Sequence, residues 1–125
     1  MRALIVDDSR FLRVFLRGIL EEKGIECEEA GDGQAGLDRL HAGSSFDLAL
    51  VDWNMPVMDG LEMLKRMRAE NFVDVKVMMV TTEGGNQSIL RALTAGADEY
   101  LMKPFNVNSV YEKLDLLGLL VAENA

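Results

Sequence analysis

The sequence predicts a single α/β domain with a mostly parallel sheet and helices on both faces. The main observation is an alternation: short aliphatic or β-branched runs are separated by longer segments with helical spacing of apolar residues. The chain has 125 residues, which suits one domain of ordinary size. Hydrophobic residues make up 49% and charged residues 27% of it, the usual globular balance. No linker-like stretch interrupts the alternation, so we expect one domain over residues 1–125.

The first strand and helix are predicted near the N-terminus. Leu4–Val6 is a continuous apolar run, as expected of a buried parallel strand. Ser9 follows as a helix N-cap, because its hydroxyl can accept a hydrogen bond from the first helical turn. Apolar residues then recur at helical spacing as far as Leu20, and Gly24 is suited to end the helix.

The next two strands differ in polarity. Ile25–Glu29 is the more polar run and is predicted to lie at an edge, whereas Leu48–Val51 is wholly apolar and is predicted to be central. Between them we expect a short helix over Gln34–His41 that ends at Gly43. Gly60 is predicted to open the third helix.

Two further β-α units are predicted, which makes five in all. We expect a strand over Val75–Val80, a helix over Ser88–Thr94 and a strand over Tyr100–Met102. Either Asn106 or Asn108 is expected to cap the last helix. Right-handed crossovers between parallel strands place such helices on both faces of the sheet.

Composition excludes several kinds of partner and location. The chain has 13 basic and 21 acidic residues, and this net charge of −8 disfavours binding to nucleic acid or to an anionic membrane. The lone Cys27 excludes an intramolecular disulfide and agrees with a reducing compartment. The apolar runs are too short to span a bilayer. Asp7 and Asp8 also interrupt the N-terminal apolar stretch, which would have to be longer and uncharged in a signal peptide. We therefore expect a soluble cytoplasmic protein.

Polar side chains follow four of the five predicted strands. They are Asp7 and Asp8 after the first strand, Asp52 after the third, Thr81 after the fourth and Lys103 after the fifth. Each alone has an ordinary explanation as a helix cap, a turn residue or a surface charge. Together they meet at the carboxyl edge of a parallel sheet, where ligands bind in such folds.

The three carboxylates predict a cation at this edge. Clustered carboxylates repel one another, so their ionised forms need positive charge nearby. Lys103 supplies one charge, and an oxygen-only ligand set suits Mg²⁺, with Mn²⁺ as the alternative. Asp52 ends the most apolar strand, which makes it the candidate nucleophile toward a phosphoryl group. The resulting acyl phosphate would be stabilised by the metal, the ammonium and a hydroxyl.

At this point the sequence resembles the response-regulator receiver domains of bacterial two-component signalling. The resemblance runs from Ala3 to about Leu120. It is carried by Asp7-Asp8, Asp52 with Met55-Pro56, Asp59-Gly60, Thr81 and Lys103-Pro104-Phe105, in this order. It implies a flavodoxin-like (βα)5 fold with strand order 2-1-3-4-5.

The resemblance also implies a role for each residue of the site. Asp52 would accept a phosphoryl group from the phosphohistidine of a histidine kinase. Asp7 and Asp8 would hold Mg²⁺ together with Asp52 and the backbone carbonyl of Asn54. Lys103 would pair with the phosphoryl group.

Two further residues would form the switch. Thr81 would move to hydrogen-bond the phosphoryl group, and Tyr100 would turn inward into the space vacated. The Lys103-Pro104 peptide bond is expected to be cis. The face made by the fourth helix, fifth strand and fifth helix would then present the phosphorylated state to a partner protein.

Within the family, the likeness is to the stand-alone chemotaxis type. The segment Asp52–Pro56 matches its phosphorylation segment, and Asn54 and Glu83 would lie at the rim of the site. Thr82 departs from the smaller residue that such regulators carry, so we expect it to narrow access to Asp52. We expect a monomer whose output is a protein partner, such as the flagellar switch or a phosphatase.

Three readings remain open on the sequence alone. The leading one is a phosphorylation-controlled switch rather than a turnover enzyme. Its role would be in chemotaxis, with a stand-alone receiver of another pathway or a receiver cut from a longer protein as the alternatives. A phosphatase with an aspartyl nucleophile would need a second Asp where Asn54 stands. A module that is never phosphorylated would leave the acidic cluster unexplained. Among other residues, we expect Trp53 to be part-exposed, Met58 to lie at the surface, and Cys27 to be a strand residue without a redox role.

Overall fold

The computed structural model describes residues 1–120 as one five-stranded parallel sheet with five helices. The strands are β1 (Arg2–Val6), β2 (Glu26–Ala30), β3 (Leu48–Val51), β4 (Lys76–Thr81) and β5 (Glu99–Met102). The helices are α1 (Arg10–Glu21), α2 (Gly33–His41), α3 (Gly60–Ala69), α4 (Asn86–Ala95) and α5 (Val107–Leu116). The strand order is β2-β1-β3-β4-β5, so the predicted fold class and strand order are confirmed. Within residues 1–120, no helix is long and apolar enough to cross a membrane.

Strand polarity matches strand position. All four residues of β3 are buried in the middle of the sheet, whereas β2 lies at an edge and begins with the exposed Glu26. Ile25, which we predicted to open β2, instead donates its N–H to the Leu20 carbonyl in the turn after α1, at 3.1 Å.

Side chains that alternate along the strands build a core on each face of the sheet. On β1, Leu4 and Val6 belong to the core beneath α2, α3 and α4, whereas Ala3 and Ile5 belong to the core beneath α1 and α5. Burial on both faces explains why β1 reads as a continuous apolar run.

Short polar side chains fix the start of four helices. Each accepts a hydrogen bond from a backbone N–H of the first turn; they are Ser9, Asp32, Asp59 and Asn106. Of the two candidates for the last helix, Asn106 is therefore the cap. Helix α4 differs: it begins at Asn86, two residues before the predicted Ser88, and its N-cap Gly85 provides no side chain.

Two exposure predictions were wrong. Trp53 is 8% exposed and Met58 is 9% exposed, and both pack into the core beneath α2, α3 and α4. The loop after β3 folds back over the edge of the sheet. There the N–H of Gly33, the first residue of α2, donates to the Met58 carbonyl at 3.0 Å and anchors the loop. Cys27 lies in β2, a strand residue as predicted. It is buried, and burial raises the pKa of its thiol to about 11, which disfavours the reactive thiolate.

Candidate functional site

The parallel register brings the predicted acidic residues to one edge of the sheet. Asp7 follows β1 and donates its backbone N–H to the Ala30 carbonyl at 3.1 Å; Asp52 follows β3 and donates to the Val6 carbonyl at 2.9 Å. These two bonds extend the pairing one residue past each strand. Both side chains are therefore placed by backbone that the sheet holds rigid.

The three carboxylates form a compact cluster. One oxygen each from Asp7, Asp8 and Asp52 lies within 4.8 Å of the others. Asp7 is 2% exposed and Asp52 is 8% exposed, whereas Asp8 is exposed at the mouth of the site. The cluster is thus buried at its base and open to solvent on one side.

Lys103 supplies the positive charge inside the cluster. Its Nζ lies 2.8 Å from Asp7 Oδ2 and 3.4 Å from Asp52 Oδ2. The Lys103-Pro104 peptide bond is cis, as the resemblance implied.

Burial raises the pKa of Asp52 above its ordinary value, because the ionised form loses hydration. The ammonium of Lys103 opposes that shift, the carboxylate of Asp7 adds to it, and a hydrogen bond involving the Trp53 backbone opposes it.

A divalent cation fits this set of donors. Three carboxylates and one ammonium leave two negative charges in a small volume when all are ionised. All three side-chain donors are oxygens, the ligands that Mg²⁺ and Mn²⁺ prefer, and the exposed side leaves room for water ligands.

Sequence reasoning missed one supporting residue, Arg13. Its Nη1 donates to the Asp7 carbonyl at 2.6 Å, while its Nε donates to Glu29 at 3.0 Å. Asp7 Oδ1 also accepts from the Ser9 N–H at 2.8 Å. No motif marks Arg13 along the chain, because its two partners come from different strands.

The loop after β3 depends on a glycine. A β-carbon at Gly60 would come within 2.0 Å of the Asp52 carbonyl oxygen, so only glycine allows α3 to start so near the site. The Gly60 N–H also donates to the Trp53 carbonyl at 2.8 Å. Within this loop, Val57 has a φ of 70° and the Met58 N–H donates to the Pro56 carbonyl at 2.7 Å.

Thr81 and Tyr100 both form hydrogen bonds with the backbone of Glu83, in the segment after β4. Thr81 is fully buried, and its Oγ1 accepts from the Glu83 N–H at 3.1 Å. Tyr100 is 7% exposed, and its hydroxyl donates to the Glu83 carbonyl. Burial raises the pKa of the Tyr100 phenol. Tyr100 thus already lies inward in this structure.

The remaining predicted residues lie at the rim. Asn54 is exposed and donates from Nδ2 to Glu83 Oε1 at 2.9 Å, which joins the loops after β3 and β4 across the opening. Thr82 is also exposed, and together with Phe15, Lys103 and Phe105 it lines an apolar groove.

The fold and this acidic edge define a class of protein, and comparison with known families agrees. Residues 3–115 match the family described as the response regulator receiver domain. The chain belongs to that family. It is a CheY-like receiver domain, the signalling module of response regulators.

Curated relatives include chemotaxis regulators. The chain is 38% identical to the chemotaxis protein CheY1 of Helicobacter pylori strain J99, over 94% of this chain and 96% of the relative. It is 40% identical to the chemotaxis protein CheY homolog of Campylobacter jejuni strain 81-176, over 100% of this chain and 98% of the relative.

Solved structures agree with the fold. A CheY-like receiver domain protein from Methanospirillum hungatei JF-1 is similar, with a TM-score of 0.85 and 35% identity over 93% of this chain and 91% of the other. The CheX–CheY–BeF3–Mg complex from Borrelia burgdorferi contains a chain with a TM-score of 0.86 and 26% identity, over 94% and 89%.

Proposed function

We propose that this chain is a single-domain response regulator, with residues 1–125 forming one receiver unit, and that Asp52 accepts a phosphoryl group from a histidine kinase. The observation that carries the proposal is the convergence of Asp7, Asp8, Asp52 and Lys103 at one sheet edge. A buried structural ion pair would need only one carboxylate for Lys103. Three carboxylates around one ammonium suit a site that gains a divalent cation and a phosphoryl group.

Asp7, Asp8, Asp52 and the backbone carbonyl of Asn54 would hold Mg²⁺ (or Mn²⁺). The bound ion would neutralise negative charge on the phosphoryl oxygens, including the charge that develops on them in the transition state. Lys103 and the ion both favour the ionised form of Asp52, whose pKa burial raises. The nucleophile is thereby kept as a carboxylate.

In the transfer, a carboxylate oxygen of Asp52 forms a bond to phosphorus while the bond from phosphorus to the imidazole nitrogen of the donor breaks. The electron pair of that bond stays with the imidazole. Lys103 can move its ammonium from Asp7 toward the new phosphoryl oxygens. Thr81 can turn its hydroxyl from the Glu83 N–H to donate to the same group.

Phosphorylation would act through Thr81 and Tyr100 on the face of α4, β5 and α5. Thr81 touches the Glu83 N–H and Tyr100 touches the Glu83 carbonyl, so both residues act on one peptide segment just before α4. A change at Asp52 would bias the position of α4, and a partner protein would bind one position better.

The chain would work as a switch rather than a turnover enzyme, while assisting its own phosphorylation and dephosphorylation. Asn54 and Glu83 are hydrogen-bonded to each other and Thr82 lines the groove beside Lys103, and we assign these three rim residues to control of the lifetime of the acyl phosphate. The alternative of an aspartyl phosphatase is disfavoured because the amide of Asn54 cannot transfer a proton as a general acid.

We infer a role in chemotaxis or motility from the chemotaxis regulators among the relatives. The downstream partner would be a flagellar switch protein or a phosphatase. The chain would bind it as a monomer in the cytoplasm. A receiver with another signalling output is the alternative.

Beryllofluoride, a mimic of the phosphoryl group, tests the proposal. With Mg²⁺ present, it should change the fluorescence of Trp53, the only tryptophan, in the wild type and not in Asp52→Asn. Acetyl phosphate should label the wild type at one site that Asp52→Asn lacks. A wild type that neither binds beryllofluoride nor takes the label would overturn the proposal, and steady hydrolysis of a phosphate ester would favour the enzyme reading.

A further inference from the structure

Helix α4 is lightly held against the rest of the domain. Among the five helices of residues 1–120 it has the fewest buried residues, with Ala92 alone. Leu90 and Leu93 are exposed, and Gly85 caps the helix without a side chain. Individual side-chain contacts therefore have a large influence on where this helix lies.

The two ends of α4 are anchored differently. At the end away from the site, Arg68 of α3 donates from Nε and Nη2 to the Gly96 carbonyl, at 3.1 and 2.8 Å. The other end begins at Asn86, after the short segment that follows β4, and its N-cap Gly85 provides no side chain. The far end is thus held by two side-chain hydrogen bonds, whereas the near end has no side-chain cap.

A stacking contact joins α4 to the phosphoacceptor loop. The guanidinium carbon of Arg91 lies 5.5 Å from the centre of the Trp53 ring, within the range of a cation–π interaction. Trp53 directly follows Asp52, and Arg91 is exposed while the indole beneath it is buried. The contact therefore runs from α4 through one side chain to the residue next to Asp52.

We propose that Arg91 is a positioning residue, which couples α4 to the phosphorylation site by stacking on Trp53. This inference rests on the proposed function of Asp52. The stacking is present together with the inward Tyr100, whose hydroxyl holds the Glu83 carbonyl just before α4. Both contacts hold α4 in one position. In this proposal a phosphoryl group favours that same position, so Arg91 tightens binding of the group, and the group in turn tightens the stacking.

Acrylamide quenching of Trp53 tests the stacking itself. Arg91→Ala should make the only tryptophan more accessible to acrylamide, and Arg91→Lys should restore only part of the protection, because it keeps a cation but not the planar guanidinium. Arg66→Ala is the matched control, since Arg66 is an exposed arginine on α3 that pairs with Glu62. Equal quenching in wild type and Arg91→Ala would overturn the contact.

Beryllofluoride affinity, measured by calorimetry with Mg²⁺, tests the coupling. Arg91→Ala should weaken binding about two- to fivefold, which corresponds to a typical cation–π energy. Arg91→Lys should lie between the wild type and Arg91→Ala, and Arg91→Ala should have no further effect in a Trp53→Leu background. Wild-type affinity in Arg91→Ala, or the same loss in both backgrounds, would overturn the coupling while leaving the proposed function intact. A wild type that fails to bind beryllofluoride would overturn both.

Discussion

Lys103 contacts Asp7 more closely than it contacts Asp52. Its Nζ is 2.8 Å from Asp7 Oδ2, across 96 positions of sequence, and 3.4 Å from Asp52 Oδ2. The ammonium thus pairs mainly with Asp7 and holds Asp52, the proposed nucleophile, less tightly. This arrangement makes Lys103 important to folding as well as to the proposed chemistry.

Replacing Lys103 with methionine should destabilise the protein when no divalent cation is present. Asp7 and Asp52 would be left buried without a counter-charge, and we expect a loss of about 2–3 kcal/mol, somewhat below the range for a fully buried pair because one side is open. Urea unfolding with EDTA measures it, and Mg²⁺ should recover part of the loss. Lys113→Met is the control, since its pair with Glu99 is part-exposed and should cost about 1 kcal/mol or less.

Asp52→Asn should stabilise the protein at neutral pH. The folded state raises the pKa of Asp52, so the stability linked to its protonated form is present below the unfolded value and is lost as pH rises through the folded value. Asparagine stays neutral and avoids that loss. We expect a gain of about 1 kcal/mol at about pH 7 in EDTA, shrinking toward zero below about pH 4. A gain that does not depend on pH would contradict burial of the charge as its cause.

Mg²⁺ should stabilise the wild type by binding only the folded state. At a concentration one hundred times the dissociation constant, the gain should be about 2.7 kcal/mol. Asp8→Asn should weaken this effect, because it removes one of the three carboxylates. Asp38→Asn removes an exposed acid elsewhere and should leave the effect unchanged. Thermal unfolding with and without EDTA measures each case, and equal gains in the two variants would argue against the site.

Thr82→Ala should speed phosphorylation by acetyl phosphate. Thr82 lines the groove beside Lys103, and alanine removes a hydroxyl and a methyl group from the approach to Asp52. We expect an increase of about two- to fivefold, less than about 1 kcal/mol of barrier. Thr82→Val keeps a side chain of the same size, so the approach to Asp52 stays as narrow and the rate should equal that of the wild type. A rate unchanged in Thr82→Ala would mean that access is not limited at this position.

Val57→Gly should raise stability without touching the acidic cluster. Val57 has a φ of 70° and is 83% exposed, so its branched side chain is strained there and buries little. Glycine relieves the strain but adds flexibility to the unfolded chain, and we expect a net gain of about 0.5–1 kcal/mol. Val57→Ala should give a smaller gain. A loss of stability by chemical unfolding would contradict the strain.

The strand-end residues were predictable because their chemistry follows from simple rules. Leu48–Val51 is apolar enough to be central, and the residue after a central parallel strand must lie at the carboxyl edge. Asp7, Asp52 and Lys103 were therefore expected together, and the structure brings them together. Their roles in phosphoryl transfer stay predictions.

Burial in the loops was less predictable. Trp53 was expected to be part-exposed because it follows a strand end, and Met58 was expected at the surface because it lies in a loop. The loop instead returns to the core, where both side chains are buried beneath α2, α3 and α4. Periodicity carries no information about such a return, since a loop has no repeating pattern. Arg13 was missed for a related reason: it acts on a backbone carbonyl, which every residue has.

The sequence by itself determined the order of the five β-α units, the polarity of each strand and the residues at each strand end, because these depend on spacing along the chain. Only the tertiary structure decided which of these residues touch: Lys103 nearer to Asp7 than to Asp52, Asn54 joined to Glu83, and Arg91 stacked on Trp53. Each of these contacts joins segments far apart in sequence. Their distances are set by how the loops and helices pack around the sheet, which spacing along the chain does not specify.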